Sequence, residues 1–458
     1  MAVKDYFFCG IGGSGMMPLA LIVAGKGHRV AGSDRSLDQG RTAPKFDWLR
    51  QKGIALFAQD GSGITRAEQI VVASTAVEET VPDIVAANRV GATRMRRADL
   101  LAELFNGAVQ GIAVGGTSGK STVTGMIGWI FHALGRDPTV MNGAVMKNFA
   151  TPDAPFASAL IGTGDAFISE VDESDGSIAL YAPDIAVLNN IALDHKSMEE
   201  LRALFGAFTA KARVAILNLD NGEVARFPRD NALTYSLGGV PADLMASDVA
   251  ERPDGIDFLA NGVPVHLQVP GRHNASNALA AIAAAMAAGI SLEDAARAIG
   301  GFAGLRRRLE IAGTAGGITV IDDFGHNPDK ISATLDTLHA FPGRLLVFFQ
   351  PHGYGPLKQM GHELIATFAN RLATDDVLLL CDPVYFGGTV DRSVGSAEIV
   401  TGVNAAGRQA EHLAERAACG ERLVALAKPG DRIIVMGARD DTLSAFAQDI
   451  VARLGTPQ

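Results

Sequence analysis

Gly119, Lys120 and Ser121 have the residue types and the spacing of a phosphate-binding loop. They follow a predicted strand, GIAVGGT, and they begin a predicted helix, TVTGMIGWIFHALG. In such a loop, backbone amides contact phosphate oxygens, the lysine reaches the terminal phosphates, and the serine hydroxyl binds Mg²⁺. The strict pattern has a glycine where this chain has Val114, so we predict a shortened loop that binds ATP. The predicted nucleotide-binding residues of this loop are Gly116, Thr117, Ser118, Gly119, Lys120, Ser121 and Thr122.

An acidic run, EVDESD, follows a neighbouring predicted strand and supplies a partner for this loop. A Mg²⁺ ion bound with ATP needs a carboxylate at the end of an adjacent strand, and Glu170 is the best placed. His195 follows another predicted strand, at the edge of the sheet where ligands gather. We therefore predict a Mg²⁺ site at Ser121 and Glu170, and at His195 either a second metal position or a hydrogen bond to substrate. Lys120, Glu170 and His195 are the candidate catalytic residues of this region. A solvated acidic turn and a structural histidine are the alternatives.

A second glycine-rich loop, from Gly10 to Gly15, spells the fingerprint of a dinucleotide-binding fold. Asp34 ends the next predicted strand, where an NAD-dependent enzyme keeps the carboxylate that binds ribose. The loop itself recognises a pyrophosphate through backbone amides and a helix N-terminus. These residues therefore fit a dehydrogenase, and they fit equally any enzyme that binds another diphosphate-containing nucleotide.

Strand-like and helix-like runs alternate along most of the chain, which predicts parallel sheets covered by helices. The 458 residues are enough for about three domains. We predict an α/β protein with a Rossmann-like N-terminal domain (1–107), a central phosphate-loop domain (108–311) and a Rossmann-like C-terminal domain (312–458). Between about 230 and 269, short alternating runs predict antiparallel hairpins, so the central domain should add a small antiparallel sheet to its parallel one.

The composition excludes several other classes of protein. The net charge is −10 and no Lys/Arg-rich block is present, which argues against nucleic acid as a partner. The three cysteines form no CxxC pair, so neither a zinc site nor a disulfide framework is indicated. The sequence has no signal-peptide pattern and no apolar run that could span a bilayer. We expect a cytoplasmic monomer or homodimer without stable membrane association.

Taken together, the motifs resemble the Mur ligase family, whose members are ATP-dependent enzymes of peptidoglycan synthesis. The resemblance covers nearly the whole chain, and the motifs occur in the order that the family has. They are GIGGSGM, SD, VVASTAV, GTSGKST, EVDESD, NNIALDH, VPGRHNASNALAA, GLRRRLE, IDDFGHNP and FQPH. The resemblance implies that ATP phosphorylates the carboxylate of UDP-N-acetylmuramate and that an amino acid or peptide, L-alanine in one branch, attacks the acyl phosphate.

The resemblance also implies roles for residues that the motifs alone leave open. ATP contacts fall on Asn274, Asn277, Arg307 and Arg308, while Asp323 and His326 act on the amine. The N-terminal loop then binds a UDP-sugar instead of NAD. The implied substrate contacts are Gly10, Gly12, Gly13, Ser14, Gly15, Met16, Asp34, Ser74, Thr75, His352 and Arg439. Helix capping, a basic joint and a structural turn are the alternatives for the asparagines, the arginines and Asp323 with His326.

The chain departs from the alanine-adding branch of the family in its predicted amine pocket. Two arginines that follow FQP in that branch are replaced by Gly353 and Pro356, and neither residue can clamp a carboxylate. Ser118 stands where that branch has histidine, and Arg439 is a candidate replacement cation. Three hypotheses follow: an alanine-adding ligase with a compensated pocket, a related ligase for another amino acid, peptide or acid, and a nucleotide-binding regulator without ligase activity.

Overall fold

The structure is a computed structural model that describes residues 2–75, 77–193, 196–228, 230–384, 395–438, 440 and 442–455. The chain divides into two compact units, residues 1–305 (unit 1) and residues 306–458 (unit 2). Unit 1 contains two sheets and unit 2 contains one. No described helix is both long enough and apolar enough to cross a membrane.

The first sheet of unit 1 consists of five parallel strands that alternate with helices. Its strands are β1 (Asp5–Cys9), β2 (Arg29–Ser33), β3 (Ala55–Phe57), β4 (Gln69–Ala73) and β5 (Thr93–Arg96). Its helices are α1 (Met16–Gly25), α2 (Arg35–Asp38), α3 (Ala43–Gln51), α4 (Pro82–Val90) and α5 (Arg97–Asn106). The strand order is β3–β2–β1–β4–β5, so the loops that follow β1 and β4 meet at one edge. This is the Rossmann-like arrangement that the alternation predicts.

The second sheet of unit 1 has ten strands. They are β6 (Gln110–Gly115), β7 (Thr139–Met141), β8 (Ala159–Leu160), β9 (Ala166–Glu170), β10 (Ile185–Leu188), β11 (Val214–Asn218), β12 (Ala232–Ser236), β13 (Leu244–Arg252), β14 (Gly255–Ala260) and β15 (Val263–Leu267). Its helices are α6 (Lys120–Ala133), α7 (Met198–Ala210), α8 (Arg272–Ala287) and α9 (Leu292–Ile299). The order is β15–β14–β13–β12–β11–β10–β6–β9–β7–β8. Pairing is parallel from β13 to β7 and antiparallel at both ends.

The two sheets of unit 1 share an apolar core through helix α1. Residues 16–23 of this helix are all buried, which explains why the helix is apolar on every side. A methyl group at Gly25 would lie 2.8 Å from Ile161, beside β8, so glycine is needed for this close packing. Trp48 of α3 also connects the two sheet regions of unit 1, because its indole N–H donates to the carbonyl of Asp153, between β7 and β8, at 2.8 Å.

The prediction of antiparallel hairpins between 230 and 269 is wrong for β12 and confirmed for β13–β15. β12 pairs in parallel with β11 and with β13, so it lies inside the sheet. Its sequence reads as half-exposed because it carries Thr234, Tyr235 and Ser236, yet all three are buried. Their hydroxyls bond to Asp243, Asn189 and Asp220 at 2.6–2.8 Å, which compensates for burying polar groups.

Unit 2 is built on a six-stranded sheet. Its strands are β16 (Glu310–Ala315), β17 (Ile318–Asp323), β18 (Leu345–Gln350), β19 (Val377–Leu380), β20 (Gln409–His412) and β21 (Arg432–Gly437). Its helices are α10 (Pro328–His339), α11 (Tyr354–Arg371), α12 (Ser396–Ala405), α13 (Arg416–Leu426) and α14 (Leu443–Leu454). The order is β16–β17–β21–β18–β19–β20. Among the described strands of unit 2, only β16 and β17 pair in an antiparallel way.

Strand β16 lies across the sequence position where the third domain was expected to begin. The predicted boundary at 311/312 falls inside the strand, whereas the two compact units separate between residues 305 and 306. The segment EIAGTA has little apolar side chain and does not read as a strand. It pairs with β17 through a turn at Gly316 and Gly317, which have φ of +59° and +73°, where glycine is favoured.

Candidate active site

The phosphate loop joins the end of β6 to the start of α6, and its shape depends on glycine. Gly116 has a φ of +131°, and a Cβ there would lie 3.1 Å from the carbonyl oxygen of Asn190. Gly119 has a φ of +84°, and its Cβ would lie 2.6 Å from Asn189 Nδ2. The backbone amide of Ser118 donates to Asn190 Oδ1 at 2.8 Å. The loop is therefore held against the segment that follows β10.

The remaining predicted loop residues complete the same structure. The Thr117 amide donates to the Asn190 carbonyl at 3.1 Å, and the Thr117 hydroxyl donates to the Ala192 carbonyl at 3.2 Å. Thr122 lies in the first turn of α6, where backbone amides have no acceptor within the helix. Such amides form an anion-binding surface at the end of a helix.

Lys120 forms an ion pair with a buried carboxylate. Its Nζ lies 2.9 Å and 3.1 Å from the two carboxylate oxygens of Glu173, and it also donates to the Gly116 carbonyl at 2.7 Å. The side chain of Glu173 is only 7% exposed and that of Lys120 is 21% exposed. The ammonium group is thus fixed at the loop by acceptors that a phosphate can replace.

Ser121 and Glu170 lie side by side, as the metal-site prediction requires. The Ser121 hydroxyl donates to Glu170 Oε2 at 2.7 Å. A Cβ on Gly143 would lie 2.2 Å from Glu170 Oε1, so this glycine leaves the space that the carboxylate occupies. A hydroxyl and a carboxylate are oxygen ligands of the type that Mg²⁺ prefers. Since Mg²⁺ retains waters and phosphate oxygens as ligands, these two protein groups fit such an ion.

The four carboxylates of the acidic run have four different partners. The sequence analysis predicted a role for only one of these carboxylates, Glu170. Glu170 binds Ser121, Asp172 accepts from Ser174, Glu173 binds Lys120, and Asp175 accepts from the Ser177 amide. Glu173, which pairs with Lys120, is a residue of this site that the sequence analysis missed. The only available signal was its place in the acidic run, because strand register alone does not say which carboxylate faces the lysine.

A network of buried amides lies beneath the phosphate loop. Asn277 Oδ1 accepts from Asn189 Nδ2 at 2.8 Å, and Asn277 Nδ2 donates to Asn274 Oδ1 at 3.2 Å. Asn274 Nδ2 in turn donates to the Pro270 carbonyl at 2.7 Å, and Tyr235 donates to Asn189 Oδ1 at 2.8 Å. The structure thus brings Asn274 and Asn277 to the loop, as expected, but their amide groups bond to neighbouring protein groups. Asn189 and Tyr235 were not predicted.

The N-terminal glycine loop follows β1 and ends at α1. It contains Gly10, Gly12, Gly13, Ser14 and Gly15, and Met16 is the buried first residue of the helix. Asp34 was expected to contact the nucleotide. Its Oδ2 accepts from the Gly12 amide and its Oδ1 accepts from the Ser36 amide, both at 2.8 Å. Asp34 therefore holds the loop and caps α2, and its carboxylate oxygens already have donors.

Ser74 and Thr75 follow β4 and line a small polar cavity beside the glycine loop. The cavity wall also includes Arg97, at the start of α5, and Asp175, at the end of the acidic run. Unit 1 therefore brings the predicted nucleotide-sugar residues to the same end of the first sheet. Arg97 and Asp175 were not among the predicted residues.

Asp323, predicted to act on the amine, is bound on both sides by groups of unit 2. Its Oδ1 accepts from the Leu309 amide at 2.9 Å. Its Oδ2 accepts from the Gly325 amide at 2.8 Å and from the Thr334 hydroxyl at 2.9 Å. These bonds fix the turn after β17, which favours the structural role that was the alternative for this residue.

Arg307, predicted to reach ATP, is buried within unit 2. It donates to Asp322 Oδ1 at 3.2 Å, to the Gly437 carbonyl at 2.8 Å and to the Asp440 carbonyl at 3.1 Å. The pKa of Asp322 is nevertheless raised, because burial outweighs the attraction of Arg307. Arg308 lies with its guanidinium 4.4 Å from the centre of the Phe324 ring.

His326 and His352 lie together at the ends of β17 and β18, with ring centres 5.1 Å apart. His326 Nδ1 lies 2.9 Å from the Phe324 carbonyl, so Nδ1 carries the proton and Nε2 has a free lone pair. Burial lowers the pKa of His326 to about 3. The imidazole is thus neutral at physiological pH and can accept a hydrogen bond at Nε2.

Two predicted residues, His195 and Arg439, lie outside the described residues. Among those described, no group of three or more His, Cys, Asp or Glu side chains is arranged to hold a metal ion.

Three domain families match successive segments of the chain. They are the Mur ligase family, catalytic domain (residues 5–108), the Mur ligase middle domain (residues 114–285) and the Mur ligase, glutamate ligase domain (residues 307–439). The first segment contains the five-stranded sheet, the third contains the sheet of unit 2, and the second covers the ten-stranded sheet from residue 114 of β6 onward. The matched segments agree with the family that the motifs indicate.

Curated relatives and solved structures agree with these matches. The UDP-N-acetylmuramate–L-alanine ligase of Agrobacterium fabrum is 35% identical, over 97% of this chain and 96% of the relative. The corresponding ligase of Geobacter sp. (strain M21) is 36% identical, over 95% of each. The UDP-N-acetylmuramate–alanine ligase of Thermotoga maritima has a TM-score of 0.79, 23% identity and 98% coverage of both chains. The murein peptide ligase of Psychrobacter arcticus has a TM-score of 0.73, 24% identity and 99% coverage of both. The chain belongs to the Mur ligase family.

Proposed function

We propose that this chain is an ATP-dependent ligase that joins L-alanine to UDP-N-acetylmuramate in peptidoglycan synthesis. The observation that carries the proposal is the phosphate-loop site, in which Lys120 and Ser121 face Glu173 and Glu170. Curated relatives that align over nearly the whole chain have that activity in their names. A carboxylate is a poor acyl donor. Transfer of the ATP γ-phosphoryl group to it gives an acyl phosphate and ADP, and attack by the amine then forms the amide and releases inorganic phosphate.

In this proposal the residues of the phosphate loop position the phosphates and neutralise their charge. Loop amides and the start of α6 hold the phosphate oxygens, and Lys120 moves from Glu173 onto the terminal phosphates. Ser121 and Glu170 are the groups that would hold Mg²⁺, with His195 at a second position. A bound Mg²⁺ supplies further neutralisation of the charge on the phosphoryl group.

The glycine loop and the residues after β4 would hold the nucleotide sugar. We propose Gly10–Met16, Ser74 and Thr75 as its contacts, while Asp34 positions the loop through the Gly12 amide. Asn274 and Asn277 would position the phosphate loop through Asn189.

Unit 2 would supply the groups that bind the amine. The neutral His326 is suited to accept a hydrogen bond from the incoming amine at Nε2, and His352 lies beside it. With a pKa of about 3, His326 is a weak base, so we do not assign it removal of the amine proton. Arg308 and Arg439 are the cations that we propose for substrate phosphates and for the amino-acid carboxylate.

We further propose a three-domain division, with a nucleotide-sugar domain up to residue 107, an ATP domain to about 305–311 and an amine domain beyond it. The cytoplasm is the proposed compartment, because ATP is available there and thiols remain reduced. Cys9, Cys381 and Cys419 are buried and form no disulfide, which suits that environment.

A phosphate-release assay tests the function directly. The chain is given ATP, Mg²⁺ and UDP-N-acetylmuramate, and then L-alanine, other amino acids or the stem tripeptide one at a time. We expect phosphate release that depends on both the acid and L-alanine. Release with the tripeptide as the only effective amine would identify a peptide ligase. The specific support for that function is that Gly353 and Pro356 stand where the alanine-adding branch has arginines. Nucleotide binding without release under any combination would indicate a regulator.

A further inference from the structure

Arg416 is the first residue of α13, and one of its nitrogens is fixed at the carboxyl ends of two strands. Its Nη1 donates to Asp440 Oδ2 at 2.9 Å and to the Thr442 hydroxyl at 3.0 Å, both in the segment between β21 and α14. The same nitrogen lies 3.5 Å from Oε1 of Gln350, the last residue of β18. The guanidinium also lies over the ring of Phe446, 5.5 Å from its centre. These contacts fix the orientation of the guanidinium.

The other two nitrogens of Arg416 are available to a ligand. Among the described residues, Nε and Nη2 have no hydrogen-bond acceptor, and the side chain is 32% exposed. The hydrogens of these two nitrogens form a side of the guanidinium that binds a carboxylate through two parallel bonds. Arg422, on the same helix, shows this side occupied, because its Nε and Nη2 both donate to Glu411 at 2.8 Å. Arg416 presents the same pair of donors without a carboxylate.

Asp440 holds the guanidinium of Arg416 and does not occupy its free side. Its carboxylate accepts from Gln350 Nε2, from Arg416 Nη1, and from the amide and the hydroxyl of Thr442, at 2.5–3.0 Å. Burial acts to raise the pKa of Asp440, but the hydrogen bonds from Thr442 and Gln350 and the charge of Arg416 outweigh burial, so that this pKa is lowered. The carboxylate is therefore ionised at neutral pH, and several donors share its charge.

This group of side chains lies where ligands bind in open α/β sheets. β18 and β21 are adjacent parallel strands. Helix α11, which follows β18, packs with α10 and α12 in one apolar cluster, whereas α14, which follows β21, packs with α13 in another. Alternate residues of β18 belong to the two clusters, so these helices cover opposite faces of the sheet. Connections that leave neighbouring strands towards opposite faces open a crevice at the carboxyl ends of the strands.

Arg416 contacts residues on both sides of this crevice, Gln350 at the end of β18 and Asp440 after β21. Residues 351–357, which follow β18, include no Lys or Arg. Arg416 therefore brings to the end of β18 a positive charge that the segment after this strand does not supply.

We propose that Arg416 binds the carboxylate of the amine substrate through Nε and Nη2. This inference rests on the proposed function for the nature of the ligand, since an amino acid or a peptide with a free amine also has a carboxylate. Asp440 and Gln350 are positioning residues, which hold the guanidinium before the substrate binds. Arg439, which we propose above for the same carboxylate, is the neighbour of Asp440 in sequence, and Arg416 supplies a second cation.

The test compares the KM values of the three substrates in the phosphate-release assay. We expect Arg416→Gln to raise the KM for the amine, whether L-alanine or the stem tripeptide, by about 10- to 100-fold, because two charge-assisted hydrogen bonds are lost. The KM values for ATP and UDP-N-acetylmuramate should not change. Arg416→Lys should recover part of the affinity for the amine, since it restores the charge without the fork of donors.

An amine substrate whose carboxylate is converted to an amide identifies the group that Arg416 contacts. For L-alanine this compound is L-alaninamide, and for the tripeptide it is the C-terminal amide. We expect the unmodified chain to have a higher kcat/KM for the acid than for the amide. Arg416→Gln should lose most of this preference.

Arg422→Gln is the matched control, because it removes an arginine of the same helix whose Nε and Nη2 are already bound to Glu411. We expect this variant to have the KM values of the unmodified chain. Circular dichroism of each variant establishes that it folds. Asp440 keeps its donors from Gln350 and Thr442 in Arg416→Gln, which favours folding of this variant.

Three outcomes would overturn the assignment of Arg416 alone. The first is an unchanged KM for the amine in a folded Arg416→Gln variant. The second is an equal rise in the KM values of all three substrates, and the third is an equal loss of kcat/KM for the acid and the amide. Either of the last two would mean that the arginine acts only through the fold of unit 2. Absence of amine-dependent phosphate release by the unmodified chain would overturn the proposed function itself, and the assignment with it.

Discussion

The predicted residues of the phosphate loop and those of unit 2 are used in different ways. At the phosphate loop, Lys120 pairs with Glu173, and Ser121 pairs with Glu170. In unit 2, Arg307 donates to two backbone carbonyls and to Asp322, and Asp323 accepts from two backbone amides. Both sets include a carboxylate at the end of a strand, Glu170 in β9 and Asp323 in β17.

This difference indicates which charged groups can exchange a protein partner for a ligand. A side-chain pair at the mouth of a loop can separate when phosphates and Mg²⁺ provide stronger partners. A buried arginine bonded to backbone carbonyls cannot leave without exposing unpaired acceptors, so it belongs to the fold. We therefore expect substitutions at the phosphate loop to change catalysis, and substitutions at Arg307 to change stability.

The largest expected effect is that of Lys120→Ala. Loss of the ammonium that neutralises the transferring phosphoryl group should lower phosphate release on the order of 10³-fold. Binding of UDP-N-acetylmuramate, measured by calorimetry, should remain unchanged, because that ligand is assigned to the first sheet. Lys26→Ala, at an exposed position after α1, is the control. Loss of UDP-N-acetylmuramate binding together with phosphate release would mean that the two sites of unit 1 do not act independently.

Arg307→Ala should destabilise unit 2 by about 3 kcal/mol, because it leaves the buried Asp322 carboxylate without its cation. Hydrogen exchange of the β17 and β21 amides in the full chain would measure this loss. Arg297→Ala, which removes an exposed ion pair with Asp294, should have little effect. If Arg307→Ala instead raises the KM for ATP while exchange is unchanged, the arginine binds ATP and the contrast between the regions fails.

Tyr235→Phe tests whether the amide network under the loop acts as scaffold. The change leaves Asn189 Oδ1 without its buried donor and should lower the stability of unit 1 by about 1–2 kcal/mol. Chemical denaturation would measure it. Tyr181→Phe provides the comparison, since Tyr181 is also buried but its hydroxyl bonds to no described residue. Equal effects of the two substitutions would argue that packing of the ring, and not the network, is what matters.

The smallest change in signal is expected from a pH titration of His326. The pKa of His326 is about 3 in the folded protein and about 6.5 when the chain is unfolded, so unfolding takes up a proton between these values. The contribution of the neutral ring to stability is complete above pH 6.5 and is lost as the pH falls towards 3. The NMR signal of His326, assigned with His326→Asn, should not change between pH 8 and 5. A titration midpoint near 6.5 would show that the ring is not desolvated.

The local structure of the phosphate loop could be predicted because it depends on residues that are neighbours in sequence. Gly116, Gly119 and Lys120 need only a strand before them and a helix after them. The partner of Lys120 could not be predicted in the same way. The acidic run has four carboxylates within six residues, and only the end of β9 and the turn after it bring Glu173 to the ammonium.

One strand was predicted wrongly and another was not predicted, for a similar reason. β12 is rich in hydroxyl side chains, and only partners elsewhere in the fold, such as Asn189 and Asp220, allow it to be buried. β16 has few apolar side chains and is a strand because it adds to the edge of β17. In both cases long-range contacts, which no local pattern records, decided the structure.

By itself, the sequence determined the three α/β sheets, the two glycine loops and the family of the chain. Periodicity, glycine positions and motif order can be read from the sequence without any coordinates. Only the tertiary structure decided which charges meet: Lys120 with Glu173, Arg307 with Asp322, and Arg97 with the loop at Gly15. The physical reason is that hydrogen bonds and ion pairs act over a few ångströms, and folding sets those distances between residues that are far apart in the chain.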